Sequence, residues 1–200
     1  GEAYAHRLGL SRNDRIVSWL PLYHDMGFIA CFILPITLGI PFAELSPFDW
    51  VRRPVALLEQ IHRQRATLCW LPNFAFQFLA EAVRLGQDDD LDLGSVRAFI
   101  NCSEPVQQAA HEAFLARFGA RGARREQLTA SYAMAENVFA VTQSLPGEYR
   151  TVAARRKLFT EEHRVERARP GEEALEFVSN GRLLEGTELD ILDPDGEPLP

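Results

Sequence analysis

The stretch T-L-C-W-L-P-N-F-A-F-Q-F-L-A-E-A, residues 67–82, decides the fold class. Its first five residues form a short, almost wholly apolar run, and Pro72 then removes the donor that a ladder would need. A run of this length without polar alternation reads as a strand covered on both faces. From Asn73 the spacing changes. Phe74, Phe78 and Ala82, with Leu79 beside them, recur at helical intervals, so the spacing predicts an amphipathic helix. A buried strand feeding straight into such a helix is half of a parallel crossover unit.

The same alternation continues on both sides. Upstream, residues 3–10 read as the end of a helix, and R-I-V-S-W-L (15–20) is an apolar run stopped by Pro21. Residues 25–38 read as a buried helix ended by Gly39, and 40–45 as a short strand. Ser46-Pro47 has the composition of an N-cap followed by proline in the first turn. Pro54 is expected to restart the helix, because proline inside a continuous one costs about 3 kcal/mol. Val55, Leu58 and Ile61 would share its buried face. Downstream, an acidic linker (87–92) precedes a fourth strand (96–100). A helix marked by Val106, Ala110, Ala113, Phe114 and Phe118 follows, with Gly119 expected to close it. Residues 127–130 read as a fifth strand and 137–144 as a mixed segment. The fold class expected is therefore α/β, a mainly parallel sheet with flanking helices, over residues 1–148. The chain then turns polar and basic (149–169). Residues 175–179 and 187–192, with the turn D-P-D-G at 193–196, read as antiparallel strands. Residues 149–200 are thus expected to be a linker and the start of a β-rich subdomain.

Composition narrows the function classes. The 28 acidic and 21 basic residues leave a formal charge of −7, the wrong sign for a nucleic-acid partner. The basic clusters Arg121/Arg124/Arg125 and Arg155/Arg156/Lys157 read as solvated loops. Three cysteines, Cys31, Cys69 and Cys102, each lie in an apolar stretch and form no C-x-x-C pair, so neither a disulfide framework nor a zinc site is indicated. A reducing, cytoplasmic setting is expected. No charge falls between Asp25 and Glu44, but Pro35, Gly39 and Pro41 break that segment, so no membrane span is expected. The chain starts without methionine and stops at E-P-L-P, and both ends are expected to be cuts.

In an open parallel sheet, ligands gather beyond the carboxyl ends of the strands. Those positions here carry P-L-Y-H-D-M-G (21–27), P-N-F-A-F (72–76), N-C-S-E-P (101–105) and S-Y-A-M-A-E-N (131–137). Four polar or aromatic ends in succession point to one shared site. His24 is open to a pocket-facing role or a structural one. Asp25, being adjacent, is expected to point elsewhere and to cap the following helix. Glu104-Pro105 can be helix-start chemistry or the lining of a ligand site. Glu136 is open to a helix-dipole role or to holding Mg²⁺, which takes a few carboxylates plus phosphate oxygens. Tyr132 suits the core or a stacked base. Neither G-x-G-x-x-G, G-x-x-x-x-G-K-[ST] nor G-x-S-x-G occurs.

Together L-P-L-Y-H-D-M-G (20–27), E-P-V (104–106) and S-Y-A-M-A-E (131–136) resemble the adenylate-forming superfamily of acyl-CoA synthetases, fatty acyl-AMP ligases and adenylation domains. The resemblance is nearest to the fatty acyl-AMP ligases, whose P-N-F-A is matched at 72–75. It implies an ATP-dependent ligase that converts a carboxylic acid, a fatty acid in the nearest branch, to an acyl-adenylate and pyrophosphate with Mg²⁺. CoA or an acyl-carrier protein would be the acceptor. By the same resemblance Tyr132 would flank adenine, with Ser131, Ala133, Met134 and Ala135 around it. Cys102, Ser103, Glu104 and Pro105 would line its other side, and Glu136 would hold Mg²⁺. His24 would sit near the acid pocket, with Asn73 and Phe74 in its wall. The chain departs from the family's N-G-A-E-P at Cys102 and Ser103, and from Y-G-M-A-E at Ala133. The family's phosphate loop would precede Gly1, and its ribose-binding aspartate and catalytic lysine would follow Pro200. The chain alone is therefore expected to be inactive. An amino- or aryl-acid adenylation domain, or a non-catalytic relative serving as a binding module, are the alternatives.

Overall fold

The computed structural model describes residues 1–84, 86 and 90–199. Helix α1 (Glu2–Leu8) leads to β1 (Ile16–Ser18). A π-helical segment, Met26–Ile33, runs into α2 (Leu34–Leu38), followed by β2 (Phe42–Glu44). Next come α3 (Pro47–Arg52), α4 (Val55–Gln64), β3 (Leu68–Leu71) and α5 (Asn73–Ala82). Then follow β4 (Ala98–Asn101), α6 (Gln108–Phe118), β5 (Leu128–Ala133) and β6 (Ala140–Gln143). The last elements are β7 (Thr151–Arg155), α7 (Arg156–Glu161), β8 (Ala174–Val178) and β9 (Arg182–Leu183).

Among the described residues seven strands form one sheet in the order β2-β1-β3-β4-β5-β6-β9. The pairs from β2 to β5 are parallel, while β5–β6 and β6–β9 are antiparallel. The α/β, mainly parallel architecture expected from the alternating pattern is the one observed. Every residue of β1, β3 and β4 is buried, because helices cover both faces. On one face Phe114 meets Phe76 at 5.3 Å and Phe99 at 5.2 Å, both edge-on. Such contacts add to plain area burial. Tyr4 of α1 closes the sheet's far end. Its hydroxyl donates to Gln143 Oε1 and accepts from Trp70 Nε1, each at 2.9 Å.

Several local expectations are corrected. The helix over 25–38 exists, but its first half is a π-helix, with Leu34 N–H donating to Ile29 O. Pro35 supplies the reason: its ring would strike the carbonyl four residues back, and a wider turn moves that group aside. In α5 the buried side chains are Asn73, Ala75, Phe76 and Leu79, while Phe74 is half exposed. Helix α6 begins at Gln108, beyond Glu104-Pro105. Gly119 keeps a right-handed φ of −58, the chain continues as a 3₁₀ turn, and Gly122 (φ 89) closes it. Of the expected linker, 87–89 lie outside the described residues. Residues 187–192 form no strand; Leu192 makes one bridge to Pro198 around the D-P-D-G turn. Strands β7 and β8 form a separate two-stranded sheet, whereas β9 returns to β6. No helix among the described residues is long and apolar enough to cross a membrane.

A partly buried ion pair ties the start of the sheet together. Asp14 Oδ1 and Oδ2 accept from Arg97 Nε and Nη2 at 2.8 and 3.1 Å, and Thr67 Oγ1 and Ser11 N–H also donate to it. Burial alone would raise the Asp14 carboxyl, but these donors outweigh it and hold it below the ordinary value. Asp14→Asn is expected to destabilise the protein by about 2 kcal/mol at neutral pH. Because the folded-state value is depressed, this stabilisation is present above the unfolded-state pKa, about 4, and is lost as pH falls through the folded one. Urea titrations at pH 7 and at about pH 3 should therefore show the gap between the two proteins shrinking in acid.

Candidate active site

The sheet order places β1 between β2 and β3, so the chain's direction of travel across the sheet reverses there. Loops leaving neighbouring strands on either side of such a reversal part and leave a crevice. A cavity of about 520 Å³ occupies this position. It is lined by Trp19, Leu20, Pro21, His24 and Met26 after β1, by Pro72 and Phe74 after β3, and by Ser103 and Glu104 after β4. A cleft of about 740 Å³ beside α4, lined by Glu59, His62, Arg63, Arg65 and Arg84 among others, contains none of the strand-end motifs.

The His24 ring lies 2.8 Å from Asp25, Nδ1 to Oδ1. This corrects the expectation that adjacent residues must diverge: the tight turn after Pro21, closed by His24 N–H on Pro21 O, brings the two side chains together. Asp25 Oδ1 also accepts from Met26 N–H at 2.8 Å, the expected helix cap. Met26 N–H, which donates to Asp25 Oδ1, also lies 3.2 Å from His24 Nδ1, so the three groups share one polar cluster at the start of the π-helix.

Glu104 has a role that the sequence did not reveal. Its Oε1 accepts from Phe74 N–H at 3.0 Å, so it caps the N-terminus of α5 rather than the helix that follows it in sequence. Ser103 adopts φ 80, an uncommon conformation for a side-chain-bearing residue, and its Oγ donates to Met26 Sδ at 3.4 Å. Cys102 and Ala133 both keep negative φ, so the side chains gained at these two positions cost no backbone strain. Cys102 is fully buried, and burial pushes its thiol up to about 11. Pro105 is exposed beside Glu104.

The next strand end lies alongside, since Asn101 of β4 is in register with Ala130 of β5. There β5 changes partner, and Ser131 and Tyr132 pair antiparallel with β6. Ser131 is buried and donates to Thr142 O. Tyr132 presents an exposed face, and its hydroxyl lies 3.7 Å from Met134 Sδ. Ala135 and Glu136 occupy an exposed 3₁₀ turn, Ala135–Asn137.

The structure thus brings His24, Phe74, Ser103 and Glu104 around one cavity, with Tyr132 and Ala133 at the end of the adjoining β5 and Met134, Ala135 and Glu136 on the turn that follows. Asn73, Cys102 and Ser131 are buried, and none of them lines the cavity. Asn73 Oδ1 instead accepts from Asn101 Nδ2 and Gln107 N–H. Trp19 lines the cavity and was not singled out as a site residue. Its place directly after an apolar strand run was the available signal. Among the described residues no group of three or more His, Cys, Asp or Glu could hold a metal ion.

Comparison with known proteins gives a consistent result. The family model described as "AMP-binding enzyme" matches residues 2–200. The medium-chain-fatty-acid–[acyl-carrier-protein] ligase JamA of Moorena producens (strain JHB) is 32% identical over 189 residues, covering 93% of this chain and 32% of that protein. The long-chain-fatty-acid–AMP ligase FadD28 of Mycobacterium tuberculosis is 34% identical over 139 residues, 68% of this chain and 23% of that protein. The crystal structure of a fatty acid AMP ligase from Legionella pneumophila superposes with a TM-score of 0.91 at 33% identity, over 97% of this chain and 34% of its own. The chain therefore spans about a quarter to a third of the length of such relatives. Since the family match runs over nearly every residue and the fold agrees, the chain belongs to the AMP-binding enzyme family.

Proposed function

We propose that this chain is the acid- and nucleotide-binding core of a ligase that activates a fatty acid with ATP, forming an acyl-adenylate and pyrophosphate. The observation that carries the reading is the apolar cavity at the sheet's reversal point, with His24 on its wall and the Tyr132–Glu136 loop beside it. Trp19, Met26 and Phe74 suit an alkyl chain. His24, held by Asp25 on the cavity wall, suits contact with the acid's reacting end. The exposed ring of Tyr132 suits stacking on adenine, and the backbone around Ser103 and Glu104 suits the opposite side of the base.

Magnesium fits this arrangement in one way. An exposed, solitary Glu136 cannot make an all-protein site, but Mg²⁺ commonly takes one or two carboxylates and completes its shell with phosphate oxygens and water. Glu136 would hold it, and the ion when bound supplies electrostatic stabilisation of the phosphates' developing charge. The protein's own share is to align the acid with the α-phosphate and to exclude water. All three cysteines are free and buried, which suits a cytoplasmic setting. A division near residue 148, with residues 149–200 opening a second subdomain, belongs to the same reading.

The test uses the full-length protein with labelled ATP, Mg²⁺ and a panel of fatty, aryl and amino acids, with and without CoA or a carrier protein. Acyl-adenylate from a fatty acid is expected. Adenylate from aryl or amino acids alone would replace the substrate class, and ATP binding without any adenylate would indicate a binding module. Conversion onto CoA or onto the carrier protein identifies the acceptor.

A further inference from the structure

His111 of α6 is fully buried, has an edge-on contact with Phe76, and was singled out by no sequence motif. Its Nε2 lies 2.8 Å from Asn101 Nδ2, and its Nδ1 lies 3.1 Å from Tyr149 Oη. The hydrogen positions follow by elimination. Asn73 Oδ1 takes the Gln107 backbone N–H at 2.9 Å, so it is an acceptor. The Asn101 atom 3.1 Å from it must then donate, which fixes that atom as Nδ2. Flipping the Asn101 amide would set two oxygens against each other. Nδ2 has a second hydrogen, and at 2.8 Å it requires a bare nitrogen on His111. Nε2 is therefore unprotonated, and Nδ1–H donates to Tyr149. Burial, reinforced by the nearby Arg125 guanidinium, lowers His111 to about 4, so the ring is neutral near pH 7. This orientation leaves Asn101 Oδ1 buried without a partner, a cost the fold accepts to keep Nδ2 doubly engaged.

Asn101 is the last residue of β4 and opens the loop that brings Ser103 and Glu104 to the cavity. Asn73 opens α5 and, through Gln107 N–H, anchors the loop's far end. We propose that His111 is a positioning residue: its bare Nε2 holds the Asn101 amide, and through it His111 sets the 101–107 loop at the candidate site. The catalytic part of this statement rests on the proposed function above; the structural part does not.

Two variants of the full-length protein separate this role from simple packing. His111→Gln can keep an acceptor where Nε2 lies and loses the Tyr149 bond. His111→Asn can keep a donor where Nδ1 lies and loses the acceptor. Hydrogen–deuterium exchange across 101–107 is the first readout. His111→Asn is expected to speed exchange there on the order of tenfold, while His111→Gln stays near the parent. The second readout is kcat/KM for acyl-adenylate formation, expected to fall about tenfold or more in His111→Asn and to be largely retained in His111→Gln. Equal effects of the two substitutions on exchange, or a larger effect from Gln, would overturn the proposal. If the parent forms no adenylate from any acid, the proposed function fails, and exchange alone still decides the role of His111.

Discussion

Gly27→Ala is expected to lower stability by about 3 kcal/mol, a loss set by overpacking against backbone rather than by helix propensity. A methyl group there would sit 2.5 Å from Pro21 O and 2.9 Å from Leu20 O. Neither atom belongs to a flexible side chain, so the turn after β1 would have to move. Pro21 O also accepts the His24 N–H that closes that turn, so the shift would carry His24 with it. Adenylate formation should fall together with stability. Gly119→Ala is the matched control, having open space around its Cα and an ordinary helical φ. It is expected to change stability by less than about 1 kcal/mol, on the favourable side. Urea denaturation of both variants checks the contrast. Similar midpoints for the two would mean that the turn accommodates the methyl group.

Glu136→Gln is the second large effect expected, and it falls on chemistry rather than on the fold. The side chain is exposed on a 3₁₀ turn, so an isosteric amide should leave the thermal midpoint unchanged. The proposed role requires the negative charge beside the metal–phosphate unit. Its removal is expected to reduce kcat for adenylate formation by about 10²- to 10³-fold, the range seen when one preorganised electrostatic contact is lost. The Mg²⁺ concentration giving half-maximal rate should rise as well. A variant that retained full activity at low Mg²⁺ would remove Glu136 from the site. The measurement is a steady-state titration of Mg²⁺ against rate in the full-length protein.

The main architecture was readable because parallel strands covered on both faces need continuous apolar runs, and here prolines mark where they stop. Pro21 and Pro72 delimit the segments that became β1 and β3, and Ser46-Pro47 opened α3 as its composition implied. Two of the misreadings share a cause in contacts distant in sequence. Periodicity put Phe74 on the buried face, but the first turn of α5 overhangs the sheet end, where its ring meets Trp19 and Trp50 at 6.1 and 6.3 Å. Glu104-Pro105 had the local look of a helix start, yet the carboxylate caps a helix 30 positions back in the chain. The π-helix left no trace in the pattern, since every residue from Met26 to Ile33 is apolar or small and no face is marked. Strand β9, two residues long, was too short for periodicity to register. His111 was invisible for a related reason: a histidine on an apolar helix face gives no hint of which amides it will meet.

The Tyr4–Gln143 bond has a consequence for how the chain is made. Helix α1 leaves the ribosome with 139 positions still to be added before its partner. At roughly 5–20 residues per second, this delay is on the order of ten seconds. Throughout it the Tyr4 and Leu8 face of α1 has no β6 to cover it. The parallel strands β1 to β5 precede Gln143 in the chain, whereas α1 gains its bond to β6 only once Gln143 has been added. A chain ending before residue 143 is therefore expected to leave the Tyr4 hydroxyl bonded to Trp70 alone, with its Gln143 acceptor missing.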